Sequence, residues 1–281
     1  MPLSKLQSEI LRLLATHRDP ESYVGGSTPL TRDAPRYSED IDVFHDREER
    51  VTQAVQQDTV ILQEHGFSLQ WLRREFTFYS VLIRRNVSSD LKSDEATKLE
   101  WVVDSDFRFF PAVKDELFGY MLHPIDLATN KVMAAAGRRE PRDVVDLVMI
   151  HEQVLPLGAV VWAAVGKSLG FTPEGLINEI RRLARYTEAD FRRVASDPPV
   201  DPAATMARLR HVLNEAEDFV MRMPTDKIGL LFLKDGKVVQ PDPDHLDDYT
   251  THAGQRRGHW PTSTEISAAM FEHYKKKPPT H

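Results

Sequence analysis

The segment from Tyr23 to Asp42 constrains the fold more than any other part of the chain. A short apolar stretch ends in Gly25-Gly26-Ser27, and Asp40-Ile41-Asp42 follows thirteen residues after the serine. Glycine lets the backbone turn sharply, and a helix that starts after such a turn offers free N–H groups to an anion. The segment therefore predicts a strand, a glycine turn that opens a helix, and a second strand.

The second strand carries two carboxylates. Side chains alternate across a strand, so Asp40 and Asp42 share one face, and Ile41 and Val43 share the other. Alone, this pair is more typical of a solvated strand end or a turn. Beside a glycine turn, however, it provides the oxygen ligands that Mg²⁺ prefers near phosphates. We therefore expect a magnesium and triphosphate site that includes Gly25, Gly26 and Ser27.

The spacing GGSx(10)SxDxD, which adds Ser38 ahead of the acids, resembles the nucleotidyltransferase superfamily of the DNA polymerase beta type. With its flanking sequence it is most similar to the AbiEii/AbiGii toxin family. The resemblance implies a third metal-binding acid on a later strand, for which we expect Glu100, with Asp104 as the alternative. Ser38 is expected within reach of the triphosphate, unless it only caps the turn into the strand.

Residues 126–147 resemble the same family's signature DLxxNKxxAxxxRxxxRDxxDL. Pro124 and Gly137 predict the ends of one helix, and Pro141 predicts the start of the next. The resemblance implies that Lys131 binds the nucleotide phosphates and that Asp143, together with Asp146, completes the site. The alternative is a solvated helix surface on which Arg142 and Asp146 form an i,i+4 pair.

The order of elements predicts an α/β (α+β) fold. A nucleotidyltransferase-type mixed sheet with flanking helices is expected over 1–122, and a helical domain that completes the active site over 123–223. Residues 224–281 are expected to form a β-hairpin, turning at Asp235-Gly236, and an irregular tail. Within the first domain, strands 67–72 and 76–83 are expected to form a hairpin, with Phe76 and Phe78 in the core.

Composition excludes several classes of protein. The chain has no cysteine, so disulfide frameworks and thiolate zinc sites are excluded, and a cytoplasmic location is expected. The apolar run at 157–166 is too short to span a bilayer, so no membrane partner is expected. A net charge of −7 argues against a general nucleic-acid coat. An RNA acceptor would need a local basic patch, for which the candidates are Arg36, Arg73, Arg74, Arg84 and Arg85.

The family resemblance implies an enzyme that uses one or two Mg²⁺ ions to transfer NMP from an NTP to an acceptor hydroxyl. For the toxins that the chain resembles, the acceptor is the 3′ end of tRNA, and a cognate antitoxin protein is a further expected partner. One alternative is nucleotidylation of a small molecule or a protein side chain. Another is a non-catalytic nucleotide-binding module.

Overall fold

The computed structural model describes residues 3–32, 34–86, 95–105, 107–168 and 170–256. Its helices are α1 (Lys5–Leu14), α2 (Ser27–Leu30), α3 (Glu48–Glu64), α4 (Pro124–Gly137), α5 (Pro141–Gln153), α6 (Leu157–Ala164), α7 (Pro173–Leu183), α8 (Glu188–Phe191) and α9 (Pro202–Arg222). Its strands are β1 (Ser22–Gly25), β2 (Asp40–His45), β3 (Phe67–Glu75), β4 (Phe78–Arg85), β5 (Ala96–Val103), β6 (Phe107–Arg108), β7 (Val113–Asp115), β8 (Gly119–Met121), β9 (Leu230–Lys234), β10 (Lys237–Val239), β11 (Thr250–Ala253) and β12 (Gln255–Arg256).

A seven-stranded mixed sheet forms the N-terminal half, in the order β3-β4-β5-β2-β1-β8-β7. The β2–β5 and β1–β8 pairs are parallel, and the other pairs are antiparallel. Helices α4 to α9 follow the sheet, and the β9–β10 hairpin comes after them. The predicted fold class is therefore confirmed.

Strand register places one row of residues straight across the sheet. Gly25 on β1 pairs with Asp42, which pairs with Glu100 on β5. Glu100 pairs with Ser80 on β4, and Ser80 pairs with Arg73 on the edge strand β3. Directly paired residues point to the same side of a sheet, so the row lies on one face.

Two hydrophobic clusters hold these elements together. The first lies on the opposite face of the sheet, where Ile41, Val43, Leu99 and Trp101 pack with α1 and α3. The second fills the helical half, where every residue of α6 is buried. Because α6 is apolar on all sides, it can be stable in water only when other helices surround it. The boundaries at 122/123 and 223/224 stay a prediction.

The helix boundaries follow local signals in the sequence. Ser4 Oγ accepts from the Gln7 backbone N–H, and the Gln7 side chain accepts from the Ser4 N–H, which forms a capping box at the start of α1. Helices α4 and α5 begin at Pro124 and Pro141, where a missing N–H costs no helical hydrogen bond. The predicted start and end of α4 and the predicted start of α5 are confirmed.

The two predicted hairpins have different outcomes. The turn at Asp235-Gly236 is confirmed, with positive φ angles of 52° and 74°. The first hairpin turns at Phe76-Thr77, because β3 continues to Glu75. Phe76 is therefore 60% exposed, and its predicted core position is wrong, whereas Phe78 is half-buried.

The region after the second hairpin is more regular than expected. Strand β11 adds a third strand beside β9, and β12 pairs with β6. Residues 250–256 therefore contradict the prediction of a wholly irregular tail. The rest of the tail, 257–281, lies outside the described residues.

Across the described ranges, no single helix has both the length and the apolar character needed to cross a membrane. Two consecutive segments, Pro141–Gln153 and Leu157–Lys167, together have the length and apolar composition of a membrane span, but the chain bends by 111° between them.

Candidate active site

Three carboxylates converge on the face of the sheet opposite α1 and α3. Asp40 and Asp42 come from β2, and Glu100 comes from the neighbouring parallel strand β5. One ligand oxygen from each lies within 4.8 Å of the others, a spacing at which all three could hold one metal ion. Ser80 Oγ donates to Glu100 Oε1 over 3.2 Å and so orients that carboxylate. The three acids that the sequence predicts as metal ligands are thus brought together.

The carboxylates act on one another electrostatically. Burial, with the nearby charges of Asp40 and Glu100, raises the pKa of Asp42 to about 7. Burial is the largest cause of this raised pKa, and the two neighbouring carboxylates add to it, so the ionised form of Asp42 is disfavoured. A divalent cation would relieve the repulsion among these carboxylates, and the all-oxygen donor set suits Mg²⁺.

Lys98 also belongs to this cluster, although the sequence analysis did not identify it. Its Nζ lies 2.8 Å from Glu100 Oε1 and 3.2 Å from Asp40 Oδ2. Burial lowers the pKa of Lys98, but its hydrogen bond to Glu100 and the two carboxylate charges outweigh that effect and raise it above the usual value. Strand alternation could have revealed Lys98, because it lies two residues before Glu100.

The glycine turn packs directly against the acids. Gly26 has a φ of 63°, and a Cβ atom there would lie 1.8 Å from Asp42 Oδ2. At Gly25 a Cβ would lie 2.3 Å from the Phe44 ring. Both positions therefore exclude larger residues. Gly26 and Ser27 line the adjoining cavity, whereas Gly25 lies against Phe44 and Leu122.

A buried lysine faces the acids from the helical side. Lys131 Nζ on α4 lies 3.0 Å from Ser27 Oγ, 3.0 Å from Asp143 Oδ1 and 2.9 Å from Asp146 Oδ2. The lysine side chain is only 6% exposed. Asp143 and Asp146, both on α5, thus fix the position of the ammonium group beside the glycine turn.

Two arginines complete this network. Arg36 makes a bidentate contact with Asp146, at 2.6 and 3.0 Å, and Arg138 makes one with Asp143, at 2.8 and 3.0 Å. The bonds from Arg138 and the charge of Lys131 outweigh burial and lower the pKa of Asp143. Each aspartate therefore bridges Lys131 to an arginine.

Two expectations about arginines are wrong. Arg36 is 1% exposed and fully engaged with Asp146 and the Tyr37 carbonyl, so it cannot belong to a surface RNA patch. Arg142 pairs with Glu39 at 3.1 Å, which contradicts the alternative of an i,i+4 pair with Asp146.

Ser38 and Asp104 occupy structural positions. Ser38 Oγ donates to the Asp40 carbonyl over 2.9 Å and contacts Thr28 Oγ1 at 3.0 Å, while the side chain is buried. These bonds favour the capping alternative for Ser38 over triphosphate contact. Asp104 accepts from the Tyr23 hydroxyl over 2.7 Å and from the Ser105 N–H over 2.7 Å. The structure thus groups Glu100, and not Asp104, with Asp40 and Asp42.

A cavity of about 450 Å³ separates the acids from the buried lysine. Its sheet side is acidic, and its helical side presents Asn130, Lys131, Arg138 and Arg142. This volume suits a small ligand. A ligand with one end bound to a cation and the other end anionic would match the two sides.

Comparison with known proteins gives a match at the level of structure. No protein-family model matches the chain, and no curated protein sequence matches it. Among solved structures, the chain is similar to MenT4, a nucleotidyltransferase toxin from Mycobacterium tuberculosis H37Rv, with a TM-score of 0.56 and 17% sequence identity. The match covers 79% of this chain and 84% of that chain. At this identity the match establishes that the chain shares the fold of MenT4.

Proposed function

We propose that the protein is a Mg²⁺-dependent nucleotidyltransferase that transfers NMP from an NTP to an acceptor hydroxyl. The observation that carries this proposal is the pairing of opposite charges across one cavity, with Asp40, Asp42 and Glu100 facing Lys131. The shared fold with a nucleotidyltransferase toxin supports it.

The acidic side would hold one or two Mg²⁺ ions. Asp40, Asp42 and Glu100 offer oxygen donors on adjacent strands, and Ser80 keeps the Glu100 carboxylate oriented. When bound, Mg²⁺ would neutralise charge on the triphosphate and make the acceptor hydroxyl more acidic. The glycine turn leaves room for this arrangement, because Gly26 has no side chain to displace Asp42.

The helical side would hold the β- and γ-phosphates. Ser27 Oγ and Lys131 Nζ lie 3.0 Å apart beside the turn and can both donate to phosphate oxygens. Asp143 and Asp146 act through Lys131, because they hold its ammonium group in place. Arg138, whose side chain is 45% exposed at the cavity, can add a further donor.

The reaction would be an in-line displacement at the α-phosphorus. The acceptor oxygen forms a bond to this phosphorus, and the bond from the phosphorus to the α,β-bridging oxygen breaks. The hydroxyl proton goes to solvent, and pyrophosphate leaves with the electron pair of the broken bond. The described residues contribute positioning and fixed charge to this step, which is how phosphoryl transfer is generally accelerated.

For the acceptor we propose an RNA 3′ end, that of tRNA, and for the biological setting a toxin controlled by an antitoxin. The motif order GGSx(10)SxDxD followed by the 126–147 signature supports membership of the AbiEii/AbiGii family. The sheet also supports an RNA acceptor, because the face that carries Glu100 continues outward as an open surface. Ser68, Gln70 and Arg73 are exposed there.

Apart from the buried Arg36, the four arginines predicted as an RNA patch divide between the two faces of the sheet. Arg73 belongs to the row that contains Glu100, and it stacks over Phe78. Arg84 donates to Gln70 on the same face. Arg74 instead stacks over Trp71, and Arg85 stacks over Phe67 and pairs with Glu9 of α1, on the opposite face. We therefore assign acceptor binding to Arg73 and Arg84. Arginine beside an aromatic ring can grip phosphate and stack a base.

Labelling with each of the four NTPs in the presence of Mg²⁺ tests the function. The substrates are total RNA, proteins from a lysate and a small-molecule fraction, each tested with and without EDTA. Label on the 3′ end of an RNA, lost in EDTA, is the expected result. Label on protein or on small molecules would instead identify that class of molecule as the acceptor and contradict the RNA acceptor. NTP binding with no labelled product in any fraction would support a non-catalytic nucleotide-binding module.

A further inference from the structure

Lys98 contacts the carboxylates that the metal would need. Its Nζ bonds to Glu100 Oε1 at 2.8 Å and lies 3.2 Å from Asp40 Oδ2. Asp40 and Glu100 are two of the three residues whose ligand atoms lie within 4.8 Å of one another. An ammonium group and a metal ion would therefore compete for the same oxygens.

The backbone places Lys98 on the same face as these acids. Lys98 pairs in register with Asp40 on β2 and lies two residues before Glu100 on β5, so the three side chains share one face. The lysine side chain is still 35% exposed. Its four-carbon stem is flexible, so the ammonium group can leave the acids for solvent while the sheet stays paired.

We propose that Lys98 is a tethered counter-ion of the acidic cluster, which a divalent cation must displace. This inference rests on the metal-dependent function proposed above and adds a regulatory feature to that site. Before metal binds, the ammonium group compensates one of the three negative charges and keeps Asp40 and Glu100 close together. The same contact lowers metal affinity, because binding requires that the ion pairs with Lys98 be broken.

Mn²⁺ binding to the full chain, measured by calorimetry or electron paramagnetic resonance without NTP, tests the competition. Lys98→Met keeps the stem and removes the charge, and we expect it to bind Mn²⁺ about tenfold more tightly than the parent. Lys98→Arg keeps the charge and should stay within about threefold of the parent. Lys114→Met removes an exposed lysine on β7 and controls for net charge.

Stability and chemical labelling give a second readout. Without metal, Lys98→Met should melt at a lower temperature than Lys114→Met, because three carboxylates then lack their counter-ion. In the parent, labelling of Lys98 by an amine-reactive reagent, followed by peptide mass spectrometry, should increase when Mg²⁺ is added.

The outcomes separate the two proposals. Equal or weaker Mn²⁺ binding by Lys98→Met, in a parent that binds Mn²⁺, would overturn the counter-ion role and leave the metal-dependent function standing. Labelling of Lys98 that Mg²⁺ does not change would also overturn it. Absence of Mn²⁺ binding in the parent and in every variant would overturn both proposals.

Discussion

The two sides of the cavity carry opposite balances of charge. On the sheet, three carboxylates face one ammonium group, that of Lys98, which is partly exposed. On the helical side, two carboxylates face three cations, Lys131, Arg36 and Arg138, and the carboxylates are almost fully buried. The sheet side thus has an excess of negative charge, and the helical side has an excess of positive charge.

This difference in charge balance suits the sheet side to binding a ligand and the helical side to holding its members rigidly in place. A charge excess in an open cavity favours binding of a counter-ion from solvent. A closed network of bidentate contacts fixes its members, and it is strongly destabilised when one partner is removed. We therefore expect substitutions on the sheet side to affect activity, and substitutions in the helical network to affect folding as well.

The largest expected effect is on catalysis from the sheet side. Asp42→Asn, and likewise Asp40→Asn, should reduce nucleotidyl transfer by about 10³-fold or more, because a metal-binding charge is lost. Transfer rates with labelled NTP and the best acceptor provide the measurement. Melting temperatures measured on the same samples should stay near the parent value.

Asp235→Asn is the matched control for these variants. Asp235 has a positive φ in an exposed hairpin turn, a conformation that asparagine also adopts readily. This variant should keep parental activity. Parental transfer rates in Asp42→Asn would contradict the metal-site assignment.

The next effect is on stability from the helical side. Asp146→Asn would leave buried Arg36 without its bidentate carboxylate, and we expect a loss of about 3 kcal/mol or more in unfolding free energy. Denaturant unfolding is the measurement. Glu152→Gln is the control on the same helix, because its ion pair with Arg208 is exposed and should contribute less than about 1 kcal/mol. Equal losses in the two variants would contradict the division between the sides.

Local pattern was sufficient to predict much of the sheet side. Alternation on β2 and the glycine turn pointed to Asp40 and Asp42, whereas Glu100 was expected because the family resemblance implies a third acid on a later strand. Lys98 follows the same alternation, but the family resemblance implies only a carboxylate on this strand and gives no indication of a lysine.

The helical network depends on contacts between distant parts of the chain. Arg36 meets Asp146 across 110 residues, and no local feature near Arg36 indicates burial. The register change between Trp71 and Arg73 likewise decides which arginines face the site, and sequence periodicity did not indicate it. Strand β12 pairs with β6 across a still longer separation in sequence. Such pairings are set by tertiary structure, which single-sequence patterns do not encode.

A smaller effect is expected at the outer part of the sheet. Reversing charge at Arg73 and Arg84 together should reduce transfer to RNA about tenfold, with little change in NTP binding, because phosphate contacts are lost. Reversing Arg74 and Arg85, on the opposite face, is the matched control and should change transfer less than about twofold. Transfer that is equal in the two double variants, or that persists at about 0.5 M salt, would contradict RNA binding on this face.

The smallest effect concerns pH, and it has opposite signs on the two sides. Asp42 has a folded pKa of about 7 against 3.8 for the ordinary carboxyl, so the folded state holds this proton more tightly than the unfolded state does. Its contribution to stability is complete below about pH 4 and is lost as the pH rises through 7. Asp143 has a lowered pKa, so its contribution is present at neutral pH and is lost in acid.

In EDTA, Asp42→Asn should therefore gain stability over the parent between pH 5 and pH 8, on the order of 1 kcal/mol given the solvent in the open cavity. Asp143→Asn should instead be less stable than the parent at pH 7, and this deficit should shrink as the pH falls below 4. Thermal melts across this pH range give both differences, and Mg²⁺ should reduce the gain of Asp42→Asn because the metal stabilises the ionised carboxylate in the parent. A difference between Asp42→Asn and the parent that stays constant from pH 5 to pH 8 would show that burial and the neighbouring carboxylates do not raise the pKa of Asp42.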